Sequence, residues 1–431
     1  MDRIIIEGGN PLHGIMPISG GKNAALPLLT ACLLSDQPIH FYNIPPLADI
    51  ESLMVLLSHL GAVGALSPDS QSQYQAETGG QQISISCPKL SSTHAPYEMV
   101  RKMRASILVL GPILARAGHA SISLPGGCAI GARPVDLHIE GLRQMGAIIT
   151  IDEGYIKAEA PKGLYGAEIS LPFPSVGATE NLLMAATLAK GTTRLMNAAR
   201  EPEIDELAHL LTKMGAKITG IGSSLLEIEG VSSLNQASHK VEADRIEAGS
   251  YAIAAAITGG ELEIIDAPNA ALKPLWGRLE KAGIAVTPTQ HGIHIKSSNA
   301  RLMGCDIMTE PFPGFPTDLQ AQFMALMCVS DGASMITETI FENRFMHVPE
   351  LQRMGANITL HGRSALVRGV PNLSGAEVMA TDLRASMSLV LAGLAAQGKT
   401  VINRVYHLDR GYGRLVRKLY ACGANIERKQ D

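Results

Sequence analysis

Six times along this chain of 431 residues, a polar start leads into a run rich in Ala, Leu and Met. The starts are Asn23, Arg104, Thr179, Glu247, Asp318 and Arg384. They lie about 72 residues apart on average, well beyond the roughly 20–50 residues of a solenoid repeat. A second kind of segment follows each first one, with apolar residues at helical spacing running into a glycine. Its copies close at Leu60-Gly61, Met145-Gly146, Met214-Gly215, Ala282-Gly283, Met354-Gly355 and Cys422-Gly423. Glycine just past a helix takes left-handed backbone without strain, and the β-rich runs that follow read as strands. Any α/β protein has some glycine-capped helices, but six paired copies at near-equal spacing point to a repeated unit.

Each unit therefore reads as helix, strand, helix, strand, with further strands between. Three units precede the polar stretch 231–240 and three follow it, which predicts two similar α/β domains. The first helix of each unit is apolar nearly all round, so it belongs inside its domain rather than coating a sheet.

Composition narrows the function. With 46% hydrophobic and 18% charged residues the chain is not disordered. A net charge of -4 and a pI near 6.4 give no footprint for nucleic acid. The longest apolar stretch, 106–115, is too short to span a bilayer and contains Gly111 and Pro112, so no membrane is expected. The six cysteines are widely spaced with no C-x-x-C, which fits reduced thiols in a cytoplasmic protein.

Three groups of residues carry potential chemistry. Cys128 lies among Pro125, Gly126, Gly127 and Gly131, with Arg133 five residues on. It reads either as an inert cysteine in a surface turn or as a thiol made acidic by the nearby cation. Lys22 and Asn23 follow Ser19-Gly20-Gly21 at the start of the first repeat helix, and Arg104 and Arg384 hold matching positions elsewhere. Singly, these cations and Arg410 read as solvated or capping groups; brought together by repeat symmetry, they would bind one acidic ligand. Asp318 reads as a helix N-terminal acid or as a general base. Walker A, Rossmann and His-based metal motifs are absent from the sequence.

The stretches 19–27, 103–106, 125–138, 197–204, 315–318, 341–351, 380–386 and 407–412 together resemble the EPSP synthase/enolpyruvyl transferase family, in its branch that acts on UDP-N-acetylglucosamine. The resemblance covers essentially the whole chain. It implies an inside-out α/β barrel of two domains, three repeats in each, with the active site in the cleft between them. We expect the first domain over 22–235 and the second over 1–21 together with 236–431. The implied reaction moves the enolpyruvyl group of phosphoenolpyruvate to the 3-hydroxyl of the amino sugar and releases phosphate, with no cofactor. The implied catalytic residues are Cys128 as acid, Asp318 as base, and Lys22 and Arg410. Asn23, Arg104, Arg133 and Arg384 would bind phosphate and carboxylate groups. Pro134, Val135, Asp136, Leu137, Ser175, Gly177 and Ile340 would line the nucleotide-sugar site. Cys128 would also be the thiol alkylated by the family's epoxide inhibitor fosfomycin.

The chain departs from some relatives in two places. Pro46 and Ala48 stand where those relatives have lysines, and the third repeat reads Phe173-Pro-Ser-Val-Gly177 rather than Lys-Val-Ser-Val-Gly. Two alternatives remain beside the main reading: a transferase of the same fold acting on 3-phosphoshikimate, and a non-catalytic paralogue with a regulatory role. The 3-phosphoshikimate enzymes lack this loop cysteine, and decay of Cys128, Asp318 or Arg410 would mark the paralogue.

Overall fold

The computed structural model describes residues 2–125, 135–297 and 301–430. Among them, twelve α-helices longer than four residues alternate between two environments. The odd-numbered ones are α1 (Lys22–Thr30), α3 (Leu110–Ala117), α5 (Val176–Ala186), α7 (Arg245–Ile257), α9 (Gln320–Cys328) and α11 (Leu383–Ala395). They are the inner helices. Every residue of α9 is buried, as is α7 from Ile246 to Ile257, because runs of Ala, Leu, Ile and Met offer no polar face to water. In one half α7, α9 and α11 pack on each other; in the other α3 packs on α5 and on the turn Ala31–Leu34 that extends α1.

The even-numbered helices lie outside. They are α2 (Ala48–Leu60), α4 (Asp136–Gln144), α6 (Pro202–Lys213), α8 (Lys273–Lys281), α10 (Val348–Arg353) and α12 (Leu415–Ala421). Each buries one stripe, as α8 does with Leu275, Trp276 and Leu279. All six are followed by a glycine of positive φ: Gly61 (114°), Gly146 (92°), Gly215 (104°), Gly283 (94°), Gly355 (92°) and Gly423 (96°). This is the backbone geometry the repeated glycines predict.

Six four-stranded sheets complete the units, all with one topology: a parallel pair extended by two antiparallel strands. In the third unit Glu168–Ser170 runs parallel to Thr192–Met196, which pairs antiparallel with Leu225–Glu229 and that in turn with Lys217–Thr219. Two sheets are completed from distant parts of the chain at its start. Arg3–Glu7 lies between Lys399–Asn403 and Asn425–Lys429, and His13–Pro17 pairs with Glu261–Ile265. A third takes Ala237–Lys240 alongside Ile39–Ile44.

The buried side chains form two hydrophobic clusters, one drawn from residues 24–241 and one from 4–18 with 246–426. The fold is a two-domain α/β architecture with a pseudo-sixfold repeat. The chain passes between the clusters twice, and the two crossings lie side by side. Gly21 N–H donates to the Glu242 carbonyl at 2.7 Å, Asp244 N–H to the Ser19 carbonyl at 2.8 Å, and Gly20 bridges Ala243.

Three details differ from the sequence reading. Arg104 opens a 3₁₀ stretch, Arg104–Val109, and the α-helix starts only at Leu110. That start places Pro112 in the first turn, where its missing N–H costs no helix bond. The strand expected after Leu60-Gly61 is reduced to a Val63–Ser86 bridge and the two residues Ser67–Pro68. The polar stretch 231–240 is partly a strand, since its last four residues close a sheet.

Candidate active site

The N-terminal ends of α1, α9 and α11 come together, and the polar and charged residues that open them meet there. Asp318, in the turn Thr317–Leu319 ahead of α9, is the hub. Its Oδ1 accepts from Arg344 Nη2 at 2.6 Å; its Oδ2 accepts from Arg384 Nη2 at 3.0 Å, Arg384 Nε at 3.2 Å and Asn23 Nδ2 at 3.5 Å. Asn23 belongs to one hydrophobic half and the two arginines to the other, so the site draws on both. Burial alone would raise the Asp318 carboxyl, but Arg384, Arg344 and Lys22 together hold it well below the usual carboxylate range.

A second carboxylate, Asp49 at the start of α2, gathers the other two cations. Lys22 Nζ lies 3.2 Å from its Oδ2, and Arg410 Nε donates to its Oδ1 at 2.8 Å. Burial lowers the proton affinity of Lys22, and nearby Arg384 and Arg410 lower it further, against Asp49 and Asp318. Asp49 stays ionised because Lys22 and Arg410 outweigh the cost of its own burial.

The arginine planes are held in place. Arg384 lies 5.6 Å over the Tyr412 ring, whose hydroxyl is 2.9 Å from Ser250 Oγ and accepts from Gln322 Nε2 at 3.1 Å. Arg344 lies over Phe341 at 5.2 Å and donates to Thr317 Oγ1 at 2.7 Å. Thr317 donates in turn to Glu338, a buried carboxylate that also accepts the Ile340 N–H at 2.8 Å and the Phe341 N–H at 3.1 Å. Ile340 and Arg344 are thus placed by one anchored loop.

Of the residues singled out from the sequence, Lys22, Asn23, Asp318, Arg384 and Arg410 converge in this network. Val135, Asp136 and Leu137 lead directly into His138, and Ser175 and Gly177 lie at the start of α5 beside it. Ser175 caps α5 through Ala178 N–H at 3.4 Å, and the position beside Gly177 Cα faces the His138 ring. His138 Nδ1 is 2.9 Å from Asn181 Nδ2, and Asn181 Oδ1 accepts the Gly111 N–H at 2.6 Å. His138 is pushed down to about 4, first by burial and then by the charge of Arg104. Cys128, Arg133 and Pro134 lie outside the described residues.

Two members of the first network were missed from the sequence, Asp49 and Arg344. Asp49 ends the stretch 43–49, where Pro46 and Ala48 replace lysines, and Arg344 sits inside the run 341–351 that carries the resemblance. Chemically, the arrangement is two carboxylates among four cations, which could hold separate anionic groups of one ligand.

A family model described as EPSP synthase (3-phosphoshikimate 1-carboxyvinyltransferase) matches residues 6–419. A UDP-N-acetylglucosamine 1-carboxyvinyltransferase of Rhodospirillum centenum is 59% identical over the full length of both chains. Its namesake from Acidiphilium cryptum is 60% identical, again over the full length of both. Among solved structures, the enolpyruvyl transferase NikO from Streptomyces tendae superposes with a TM-score of 0.89 at 23% identity, covering 100% of this chain and 99% of its own. An EPSP synthase from Acinetobacter baumannii gives 0.74 at 18% identity and full coverage of both chains. At those identities the two structures bear on the fold alone.

Proposed function

This chain belongs to the EPSP synthase family, and from that premise we propose how its site works. The chain transfers the enolpyruvyl group of phosphoenolpyruvate to the 3-hydroxyl of UDP-N-acetylglucosamine and releases phosphate, a step of peptidoglycan synthesis. The observation that carries the site assignment is the Asp318 carboxylate clasped by Arg344, Arg384 and Asn23, with Lys22 and Arg410 beside it on Asp49.

In this reading Lys22, Arg384 and Arg410 take the phosphate and carboxylate of phosphoenolpyruvate. Cys128 protonates the methylene carbon while the sugar oxygen attacks the neighbouring carbon, and Asp318 accepts the hydroxyl proton. The product of that step is a tetrahedral intermediate. Loss of phosphate and of a proton from the methyl group then restores the vinyl double bond. Asp318 in its ion pairs is a weak base. A substrate whose anionic groups compete for Arg344 and Arg384 removes the partners that depress its proton affinity, so binding strengthens the base where it is needed.

Pro134, Val135, Asp136, Leu137, Ser175, Gly177 and Ile340 are assigned to the nucleotide sugar, with Asn23, Arg104 and Arg133 supporting the anions. We take residues 22–235 and 1–21 with 236–431 as the two domains; the two buried clusters part close to this division, with the first running on through Ala237–Lys240 to Val241. A cytoplasmic setting keeps the Cys128 thiol reduced. Of the alternatives, an acceptor other than UDP-N-acetylglucosamine is disfavoured by the full-length relatives at 55–60% identity. A non-catalytic role is disfavoured by the retention of Cys128, Asp318 and Arg410.

The acid is tested by Cys128→Ser and Cys128→Asp. The serine variant is expected to lose phosphate release by two to four orders of magnitude, roughly the worth of a general acid. The aspartate variant should keep much more activity, because a carboxylic acid can donate the same proton. Wild-type turnover in Cys128→Ser removes the assignment.

A further inference from the structure

Lys418, on the outer helix α12, is a buried charge that no step of the reaction uses. Its ammonium lies 2.6 Å from Glu247 Oε1 and 2.8 Å from Ser19 Oγ, and Ser19 N–H donates to Glu247 Oε2 at 2.8 Å. All three residues are 3% exposed or less. Replacing such a pair by apolar residues of similar volume is often neutral or stabilising, so stability alone gives no reason for it to be here.

The trio's neighbours in the chain supply a reason. Ser19 is three residues before Lys22, in the first of the two crossings. Its carbonyl accepts from Asp244 N–H at 2.8 Å, and the Asp244 carboxylate accepts the Lys22 N–H at 3.1 Å. Asp244 also caps α7, taking the N–H groups of Ile246 and Glu247 at 2.8 and 3.1 Å. At the other end, Lys418 stands eight residues after Arg410 on the segment that carries it. Lys22 and Arg410 then meet on Asp49 from opposite hydrophobic halves.

We infer that Ser19, Glu247 and Lys418 form a positioning unit that sets the separation of Lys22 and Arg410. They do so by tying the crossing that leads into α1 to α7 and to α12, the helix that follows Arg410 in the chain. They touch no substrate and act through the two cations. The inference rests on the functional reading above, in which those cations hold phosphoenolpyruvate. A hydrogen-bonded charge pair fixes distance and direction at both ends, whereas an apolar contact tolerates sliding, and misplacement by about 1 Å can cost on the order of a hundredfold in rate.

The test compares the double variant Lys418→Met/Glu247→Leu, which removes both charges together, with Ser19→Ala. Melting temperature is read without substrates, and KM for each substrate and kcat are read by phosphate release. The double variant is expected to melt close to the wild type, while its KM for phosphoenolpyruvate rises on the order of tenfold and its KM for UDP-N-acetylglucosamine changes far less. Ser19→Ala should shift the same constant in the same direction by a smaller factor. A double variant with wild-type melting and wild-type KM for phosphoenolpyruvate overturns the inference and leaves a purely structural ion pair. If the double variant does not fold, Ser19→Ala decides, and an unchanged KM there overturns the inference equally. Absence of phosphate release from the unmutated protein would instead remove the functional reading, and the inference with it.

Discussion

His138 and His347 are both buried, and burial pushes each ring down to about 4. At His138 the Arg104 charge adds to the effect; at His347 the Arg344 charge lowers it further and Asp382 opposes. Between the ordinary histidine value of about 6.5 and that depressed value, the unfolded chain binds more protons than the folded one, so stability rises with pH. Their contribution is complete above about 6.5 and lost as pH falls through about 4, on the order of 3 kcal/mol for each ring. Urea unfolding measured across that window should show the loss, and His347→Gln should lose about one histidine's share less. Identical pH slopes for the two proteins would contradict the shift. At this scale the sequence was readable where a charge opened a repeat helix, as with Lys22, Asp318 and Arg384. It was not readable at Asp49, whose partner Arg410 is 361 residues away, or at Arg344, which sits on a loop whose path depends on Glu338.

Among the elements, the glycines separate into those that backbone requires and those it does not. Gly355 ends α10 at a φ of 92° with nothing within 4 Å of a side chain placed there, so only backbone strain opposes alanine. Gly277 lies inside α8 in open space and in ordinary helical backbone, so alanine there only restricts the unfolded chain. Gly355→Ala should cost about 1 kcal/mol and Gly277→Ala should gain about 0.5–1 kcal/mol in chemical denaturation. Changes of the same sign at both would refute the distinction. The repeat was legible because these caps recur at fixed offsets from apolar helices. Strand partners were less so: nothing local marks Ala237–Lys240 as the parallel neighbour of Ile39–Ile44, a pairing that exists only once the chain has crossed back.

Across the whole molecule, six similar units yield one site because the chain crosses twice between its halves. The first crossing delivers Lys22 and Asn23, and the second delivers Asp244 and Arg245 into α7. Arg245 reaches back to Glu203 on α6 at 2.9 Å, so the crossings are braced from both halves. Four of the chain's 36 lysines and arginines, Lys22, Arg344, Arg384 and Arg410, gather where those halves meet. We read this cluster as serving one transfer, from phosphoenolpyruvate to the amino sugar. The most direct measurement follows phosphate and product mass together in the unmutated protein. With phosphoenolpyruvate and UDP-N-acetylglucosamine, one phosphate should be released for each enolpyruvyl group gained by the nucleotide sugar, and none when the sugar is omitted. Phosphate release that ignores the nucleotide sugar, or that requires 3-phosphoshikimate in its place, would contradict it.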